Sequence, residues 1–111
     1  MFMDNWKLYN EDTLASGGWR NACWYVIPAN KILIVSKIHL GAFSDNQLFY
    51  WRVRRVPNVL ISGQATQEVQ SDMIKTSDES FVAGESFSLQ IYQTTGAILF
   101  YAYARGLLLD V

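Results

Sequence analysis

Apolar and β-branched residues are concentrated in residues 24–40, WYVIPANKILIVSKIHL, where one turn separates two strand-like runs. Val, Ile, Tyr and Trp favour a pleated, half-buried surface. The turn at residues 28–31 has Pro at position i+1 and Asn30 at a site predicted to be left-handed, as such a corner requires. A weaker copy follows at residues 82–92, where Gly84 stands in the place of Asn30 and apolar residues then alternate with polar ones. Two such turn-then-strand units predict a β-sandwich.

Alternation of apolar and polar side chains predicts further strands on both sides of a proline break. Residues 47–56 read as a strand whose core face carries Phe49, Trp51 and Val53, and a short strand follows the break at residues 59–65. The continuous apolar run at the start of the strand at residues 31–40 predicts burial on both of its faces at that point.

Two later segments complete the pattern. Residues 66–79 are ambiguous, because their few apolar residues also allow one helical face, and we predict short strands there. Residues 97–109 form a long apolar strand in which Gly106 can introduce a bend. An exposed apolar edge strand of this length would be prone to aggregation. We therefore expect it inside a sheet, paired with the first strand or with a symmetry mate.

Residues 1–20 differ in character from the rest of the chain. Large aromatic residues are scattered there among polar ones with poor periodicity, and such residues rarely stay free in water at this density. We therefore predict an extended N-terminal arm that docks on its own domain or on a neighbour, the second being favoured. Residues 21–111 are then the domain, an all-β antiparallel sandwich or jelly roll of about seven or eight strands.

Length, charge and hydropathy limit the class of protein. A chain of 111 residues, half of them apolar, predicts one packed domain. The net charge of -1 argues against a partner whose phosphates must be neutralised, so nucleic acid is not expected. No segment approaches the ~20 apolar residues of a membrane span, and the first residues do not resemble a leader. We expect a soluble protein made in a cytoplasm, with no membrane partner.

The residues available for catalysis are few. Cys23 and His39 are the sole cysteine and histidine, so a nucleophile with its base or a metal site would have to be built from one of each. Cys23 is predicted to be a buried hydrophobe and His39 a structural residue on a strand. The acidic residues Asp72, Asp78 and Glu79 lack the spacing of a calcium loop. We expect no enzyme, no cofactor and no bound metal.

Candidate interface residues come from two places. Arg52 and Arg54 share a strand face with Tyr50. Three interpretations of this face are open: a solvated surface, a surface that forms salt bridges with an acidic protein and, as a minor alternative, a nucleic-acid contact. The aromatic residues of the predicted arm have no obvious place in the sheets. The candidate partner interface therefore contains Phe2, Trp6, Tyr9, Trp19, Arg52 and Arg54.

The layout of turns and strands resembles a known family. An Ile-Pro-Ala-Asn turn at residues 27–30 opens one strand, an Ala-Gly-Glu turn at residues 83–85 opens another, and a long apolar strand ends the chain. Over residues 24–109 this pattern is similar to small virion β-sandwich proteins of tailed phages, above all the capsid staple, decoration or cement proteins of epsilon15-like short-tailed phages. The resemblance implies a jelly-roll homodimer at capsid two-fold axes, bound outside the shell to the major capsid protein, with extended termini reaching over neighbouring subunits.

Two functions from different classes remain open at this stage. The first is a structural protein that cements neighbouring major capsid subunits from outside. The second is a carbohydrate-binding module or virion adhesin, in which Trp19, Trp24 or Tyr50 would stack on sugar rings. The missing catalytic set places an enzyme far behind both.

Overall fold

The computed structural model describes residues 3–14, 18–43, 48–66, 68–73, 80–93 and 98–111. Over this part the chain forms nine β-strands and no α-helix, and none of it is a helix that is long and apolar enough to cross a membrane. The strands are β1 (Met3–Leu14), β2 (Arg20–Val26), β3 (Lys31–Ala42), β4 (Phe49–Arg55), β5 (Asn58–Ala65), β6 (Val69–Asp72), β7 (Ser80–Val82), β8 (Ser86–Tyr92) and β9 (Ile98–Asp110).

The strands form two antiparallel sheets that pack face to face. The first sheet has the order β1-β9-β3-β6, with β7 paired to β3 as well, and the second has the order β2-β8-β4-β5. Because β6 and β7 pair with successive stretches of β3, they act as two halves of one edge strand. With that pair counted once, the path of the chain between the sheets is that of an eight-stranded jelly roll, which confirms the predicted fold class.

The core lies between the sheets and is built mainly by alternation of inward and outward residues along each strand. Phe49, Trp51 and Val53 face inward as predicted, and alternate residues of β3 and β8 meet them from both sheets. The fully buried large side chains are Phe49, Phe81, Phe87, Phe100, Ile27, Leu33, Ile38, Leu40, Met73, Leu89 and Ile91.

The two similar turn-then-strand units lie side by side. Asn30 has φ 61° and Gly84 has φ 86°, so both turns use the left-handed conformation that the sequence predicted at the first of them. The amide of Ile27 donates to the carbonyl of Glu85, and the amide of Gly84 donates to the carbonyl of Ile27, each at 3.0 Å. These bonds extend the pairing of β2 with β8.

The long final strand lies inside the first sheet, paired with β1 on one side and β3 on the other. This confirms the pairing with the first strand. Gly106 lies opposite a bulge in β3, where a Cβ atom would overlap the carbonyl oxygen of Ile34 and lie 2.9 Å from Cα of Val35. Glycine therefore permits the close approach of the two strands.

The structure corrects the predicted arm. Met3–Leu14 is a strand of the sandwich, paired with β9 along its whole length. Trp6 is only 7% exposed, and its ring packs 5.4 Å from that of Tyr25 and 5.7 Å from that of Phe87. The alternation was hard to detect because the inward positions near both ends of this edge strand are occupied by Asp4 and Asp12.

Two other segments were only partly predicted. The start of β3 is buried on one face only, since Ile32 and Ile34 are half-buried on the outer face of the first sheet. In the ambiguous segment, β6 confirms one short strand, whereas residues 74–79 lie outside the described part of the chain.

Candidate functional site

The structure places the six predicted interface residues in different environments. Phe2 lies outside the described residues, and Trp6 belongs to the core. Tyr9 is 57% exposed on the outer face of the first sheet. The remaining three residues, Trp19, Arg52 and Arg54, come together on the outer face of the second sheet.

We call this region the arginine–aromatic surface, and it consists of Trp19, Trp24, Tyr50, Arg52, Arg54 and Tyr92. The guanidinium carbon of Arg52 lies 4.1 Å from the centre of the Trp19 ring. The ring of Tyr92 is 5.6 Å from that of Trp19 and 5.9 Å from that of Tyr50. The three rings and the cation therefore form one continuous cluster across the outer face of β8 and β4.

A partly buried polar network fixes the base of this surface. Nε of Arg52 donates to Oε1 of Gln90 at 2.7 Å, and the side-chain nitrogen Nε2 of Gln90 donates to Oδ1 of Asn21 at 3.0 Å. The hydroxyl of Ser88 donates to the same Asn21 oxygen at 2.7 Å. Because Ser88 and Gln90 are buried, these bonds satisfy groups that would otherwise be costly to desolvate. The hydrogen bond to Gln90 thus fixes Nε of Arg52, whose guanidinium packs against the Trp19 ring.

The surface keeps a positive charge. Burial, and then repulsion from Arg54, lower the pKa of Arg52 from its ordinary value. A guanidinium nevertheless stays protonated at neutral pH, because its unperturbed pKa lies above about 12. Nε of Arg54 is buried and makes no hydrogen bond to another described residue.

Arg55 takes a different role from the two arginines before it. It is the next residue along β4 and pairs with the buried Phe87, so alternation places it on the opposite face of the strand from Arg52 and Arg54. Its guanidinium bonds to the carbonyl of Ser80, lies 3.4 Å from a carboxylate oxygen of Glu85 and covers the ring of Phe81. It therefore ties the second sheet to β7 at the edge of the first.

The outward rings leave room for a partner. Trp24 is 56% exposed and Trp19 is 37% exposed, so their side chains present large apolar areas next to two cations. Trp, Tyr and Arg dominate the energetics of protein interfaces, since each combines a large contact area with a polar group. Sugar rings also stack on exposed aromatic faces, so the arrangement is suited to either type of ligand.

Sequence reasoning missed Tyr92 and the network of Asn21, Ser88 and Gln90. A usable signal was present, because the polar positions of β8 alternate with its core residues and so share one outer face. That these positions lie against Arg52 depends on the pairing of β8 with β4, which the alternation does not specify.

The two residues with potential chemistry are elsewhere. Cys23 is buried, and burial raises the pKa of its thiol to about 12, so it is not a nucleophile at neutral pH. His39 lies on the outer face of the first sheet, with Nε2 2.8 Å from a carboxylate oxygen of Glu68. Within the described residues no group of three or more His, Cys, Asp or Glu side chains could hold a metal ion.

Comparisons with known proteins identify the fold alone. No protein-family model matches the chain, and no curated protein matches it in sequence. Among solved structures it is similar to the crystal structure of FlhE, with 11% identity, a TM-score of 0.52 and coverage of 95% of this chain and 96% of that one. It is also similar to the acid-stable capsid of Helicobacter pylori bacteriophage KHP30, with 8% identity, a TM-score of 0.51 and coverage of 99% and 95%.

A third structure is less similar. It is that of the infectious bursal disease virus Gx strain, with 8% identity and a TM-score of 0.46. The match covers 98% of this chain but 32% of the viral one. At these identities, the likenesses to FlhE and to the KHP30 capsid establish a shared sandwich architecture and nothing more.

Proposed function

We propose that this protein is a structural component of a virion, which binds the outside of an icosahedral phage capsid and cements neighbouring major capsid subunits. The observation that supports this most directly is the arginine–aromatic surface, in which Arg52 is held between Trp19 and Gln90. The proposal involves no catalytic step, and neither nucleic acid nor a membrane is a partner.

The composition of this surface is that of a protein-binding site. Its exposed rings can fill pockets on a partner, while Arg52 and Arg54 can pair with carboxylates there. Because Arg52 is already fixed by its hydrogen bond to Gln90, little side-chain freedom is lost when a partner binds. The rigid sheet thus presents a preorganised surface.

Cementing follows from having more than one contact with the shell. In this proposal a homodimer at a capsid two-fold axis contacts two subunits, and the second contact is effectively intramolecular once the first has formed. Binding to the assembled shell but not to separated subunits then stabilises the shell by mass action. Modest contacts are sufficient, because many copies act together.

The fold likeness is compatible with this role. A sandwich of the same architecture occurs in the capsid of bacteriophage KHP30, and the structural match covers nearly the whole of both chains. The resemblance in turns and strands to capsid staple proteins of short-tailed phages points in the same direction.

A pelleting assay tests the proposal. The purified protein is mixed with empty shells that lack it, and sedimented protein is measured against free major capsid protein as the control. We expect saturable binding to shells at a fixed ratio per subunit, and little binding to free subunits. Absence of binding, or shells whose melting temperature is unchanged by bound protein, would refute the proposed function.

Variants locate the binding surface. Trp24→Ala together with Arg54→Ala removes an exposed ring and a charge, and we expect shell binding to weaken by at least about tenfold. Val82→Ala is the matched control, because Val82 is 51% exposed on the first sheet and away from this surface. Equal weakening by both variants would show that the arginine–aromatic surface is not the contact.

A carbohydrate-binding module or adhesin is the second candidate. Trp19, Trp24 and Tyr50 were its predicted stacking residues, and all three lie on one face of the second sheet. A glycan array tests this candidate. Binding to a glycan that is lost in Trp24→Ala, together with no binding to shells, would replace the cement proposal with this one.

A further inference from the structure

The outer face of the first sheet contains a second group of aromatic residues, far from the arginine–aromatic surface. Antiparallel pairing aligns Tyr9 with Tyr103 and His39, and it aligns Glu11 with Tyr101 and Gly41. Together they border an open cleft of about 490 Å³, which we call the tyrosine cleft. Its lining residues are Tyr9, Glu11, His39, Phe43, Tyr101 and Tyr103.

Gly41 allows the ring of Tyr101, at the centre of the cleft, to lie across β3. A Cβ atom at this position would lie 2.7 Å from the hydroxyl oxygen of Tyr101 and 3.0 Å from two of its ring carbons. Because no side chain stands there, the Tyr101 ring crosses β3. Its centre lies 5.4 Å from that of His39 and 5.2 Å from that of Phe43.

Two carboxylates flank this central ring. Glu11 is the direct neighbour of Tyr101 on β1 and accepts a hydrogen bond from the hydroxyl of Tyr9. On the other side, Oε2 of Glu68 accepts a hydrogen bond from the hydroxyl of Tyr101 at 3.3 Å. Glu11 and Glu68 thus place one carboxylate on each side of the Tyr101 ring, and Glu68 also lies 2.8 Å from Nε2 of His39.

The tyrosine hydroxyls reflect this negative field. Burial, followed by the charge of Glu68, raises the pKa of Tyr101 above its ordinary value. The hydrogen bond to Glu11, followed by burial, raises that of Tyr9. Both phenols are therefore neutral at physiological pH, and each hydroxyl donates a hydrogen bond to a carboxylate, that of Tyr9 to Glu11 and that of Tyr101 to Glu68.

The geometry of the rings suits a cation better than a sugar. The ring planes of His39 and Tyr101 meet at 81°, and those of Phe43 and Tyr101 meet at 55°. Sugars stack on flat, open ring faces, whereas steeply inclined rings with nearby carboxylates surround a positive group, as in aromatic cages for ammonium ions. Phe43 is 52% exposed, so this wall of the cleft is accessible from solvent.

A row of cations borders the other side. Lys7, Arg105 and Lys37 are aligned on β1, β9 and β3, two residues along each strand from Tyr9, Tyr103 and His39. These charges repel a positive ligand from the middle of the sheet. A bound cation is therefore confined to the end of the cleft that contains Glu11, Tyr101 and Glu68.

We propose that the tyrosine cleft binds the cationic side chain of a lysine or arginine on a partner protein, with the charge held over Tyr101 between Glu11 and Glu68. The site stands apart from the proposed capsid contact of the second sheet, and it holds whether or not the partner belongs to a shell. It gives the protein a second binding face on the opposite side of the sandwich.

NMR titration of the full chain tests the site with small probes. Tetramethylammonium and N-acetyl-lysine methylamide are added at constant ionic strength, with tert-butanol as the neutral analogue and methyl glucoside as the sugar. We expect both cations to produce saturable shifts of the Phe43 and Tyr101 ring signals, with Kd on the order of millimolar. Similar saturable shifts with tert-butanol or the glucoside would overturn the proposal.

A charge-removing variant gives the second arm of the test. Glu11→Gln with Glu68→Gln preserves side-chain size and keeps one acceptor oxygen on each residue, and we expect the affinity for both cations to fall at least about fivefold. Asp4→Asn is the matched control, since Asp4 is an exposed carboxylate at the far end of β1. The variant spectra verify folding. Unchanged cation affinity in the folded double variant would overturn the proposal.

Discussion

The guanidinium carbon of Arg52 lies 4.1 Å from the centre of the Trp19 ring, and its Nε donates a hydrogen bond to Gln90. Trp19 precedes β2, whereas Arg52 lies in the middle of β4, so the contact joins two strands that are not neighbours in the second sheet. The ring also covers part of the polar network beneath it. Through this contact, the aromatic residue of the N-terminal segment and the arginines of β4, which are far apart in the sequence, belong to one surface.

A double-mutant cycle measures this contact. With Trp19→Ala and Arg52→Ala, we expect a coupling free energy of about 0.5–1 kcal/mol in urea unfolding, which is typical of a cation–π pair at a partly exposed site. Val82→Ala with Arg52→Ala is the control cycle, and its effects should add because the residues lie on different sheets. A Trp19–Arg52 coupling no larger than that of the control would show that the stacking contributes nothing to stability.

Trp6 and Trp24 should differ sharply in their contribution to stability. Trp6→Ala leaves a cavity between the sheets, so we expect a loss of about 3–5 kcal/mol in the free energy of unfolding. Trp24→Ala removes a ring that is mostly in solvent, and a change within about 0.5 kcal/mol is expected. Chemical denaturation of both variants checks this. A large loss in Trp24→Ala would mean that its ring packs into the fold.

Gly106 and Gly84 need glycine for different reasons. Gly106→Ala places a methyl group against the backbone of β3, which has no flexible side chain to move aside, so we expect a loss of at least about 3 kcal/mol. Gly84→Ala meets no atom within 4 Å and costs only the strain of a positive φ, about 1 kcal/mol. Thermal and urea unfolding of the pair would contradict this account if Gly84→Ala were the more damaging.

Cys23 should be unreactive in the folded protein. Burial raises the pKa of its thiol from 9.0 to about 12, so a thiol reagent at pH 9 meets only about one thiolate in a thousand molecules. We expect labelling at that pH only after denaturant is added. The absorbance of the group that the reagent releases measures the labelling. Labelling of the native protein as fast as of the unfolded chain would contradict this.

The raised pKa of Cys23 makes the free energy of unfolding depend on pH, with a definite sign. The thiol has a higher pKa folded than unfolded, so the folded state retains the proton more strongly. Its contribution to stability is complete below pH 9 and declines as pH rises from 9 towards about 12. Cys23→Ser, which does not ionise in this range, is the control for separating this decline from that of other groups.

Much of the fold was accessible from local patterns. The inward face of β4 and the left-handed turn at Asn30 were predicted correctly, because alternation and turn chemistry depend on neighbouring residues. β1 was not recognised as a strand, since Asp4 and Asp12 occupy inward positions near its ends. The burial of Trp6 beneath β2 and β8 follows from the packing of one sheet on the other.

The candidate sites show the same division. The sequence indicated Arg52, Arg54 and Trp19 as interface residues, because charge clusters and unplaced aromatics are visible without a structure. It gave no indication of the tyrosine cleft, where Tyr101 meets His39 and Glu68 across 62 and 33 residues of chain. Tyr101 and Glu68 lie in stretches that match no motif, and His39 was predicted only as a structural residue, so the local sequence does not mark the cleft.

The sequence by itself determined that this protein is an antiparallel β-sandwich, because a period of two in side-chain polarity is a local property that each strand expresses independently. The tertiary structure decided which outward residues share a surface. Strand order and register bring β1, β9 and β3 together on one face and β2, β8 and β4 on the other. Those pairings depend on the packing of the whole core, and they determine where a partner can bind.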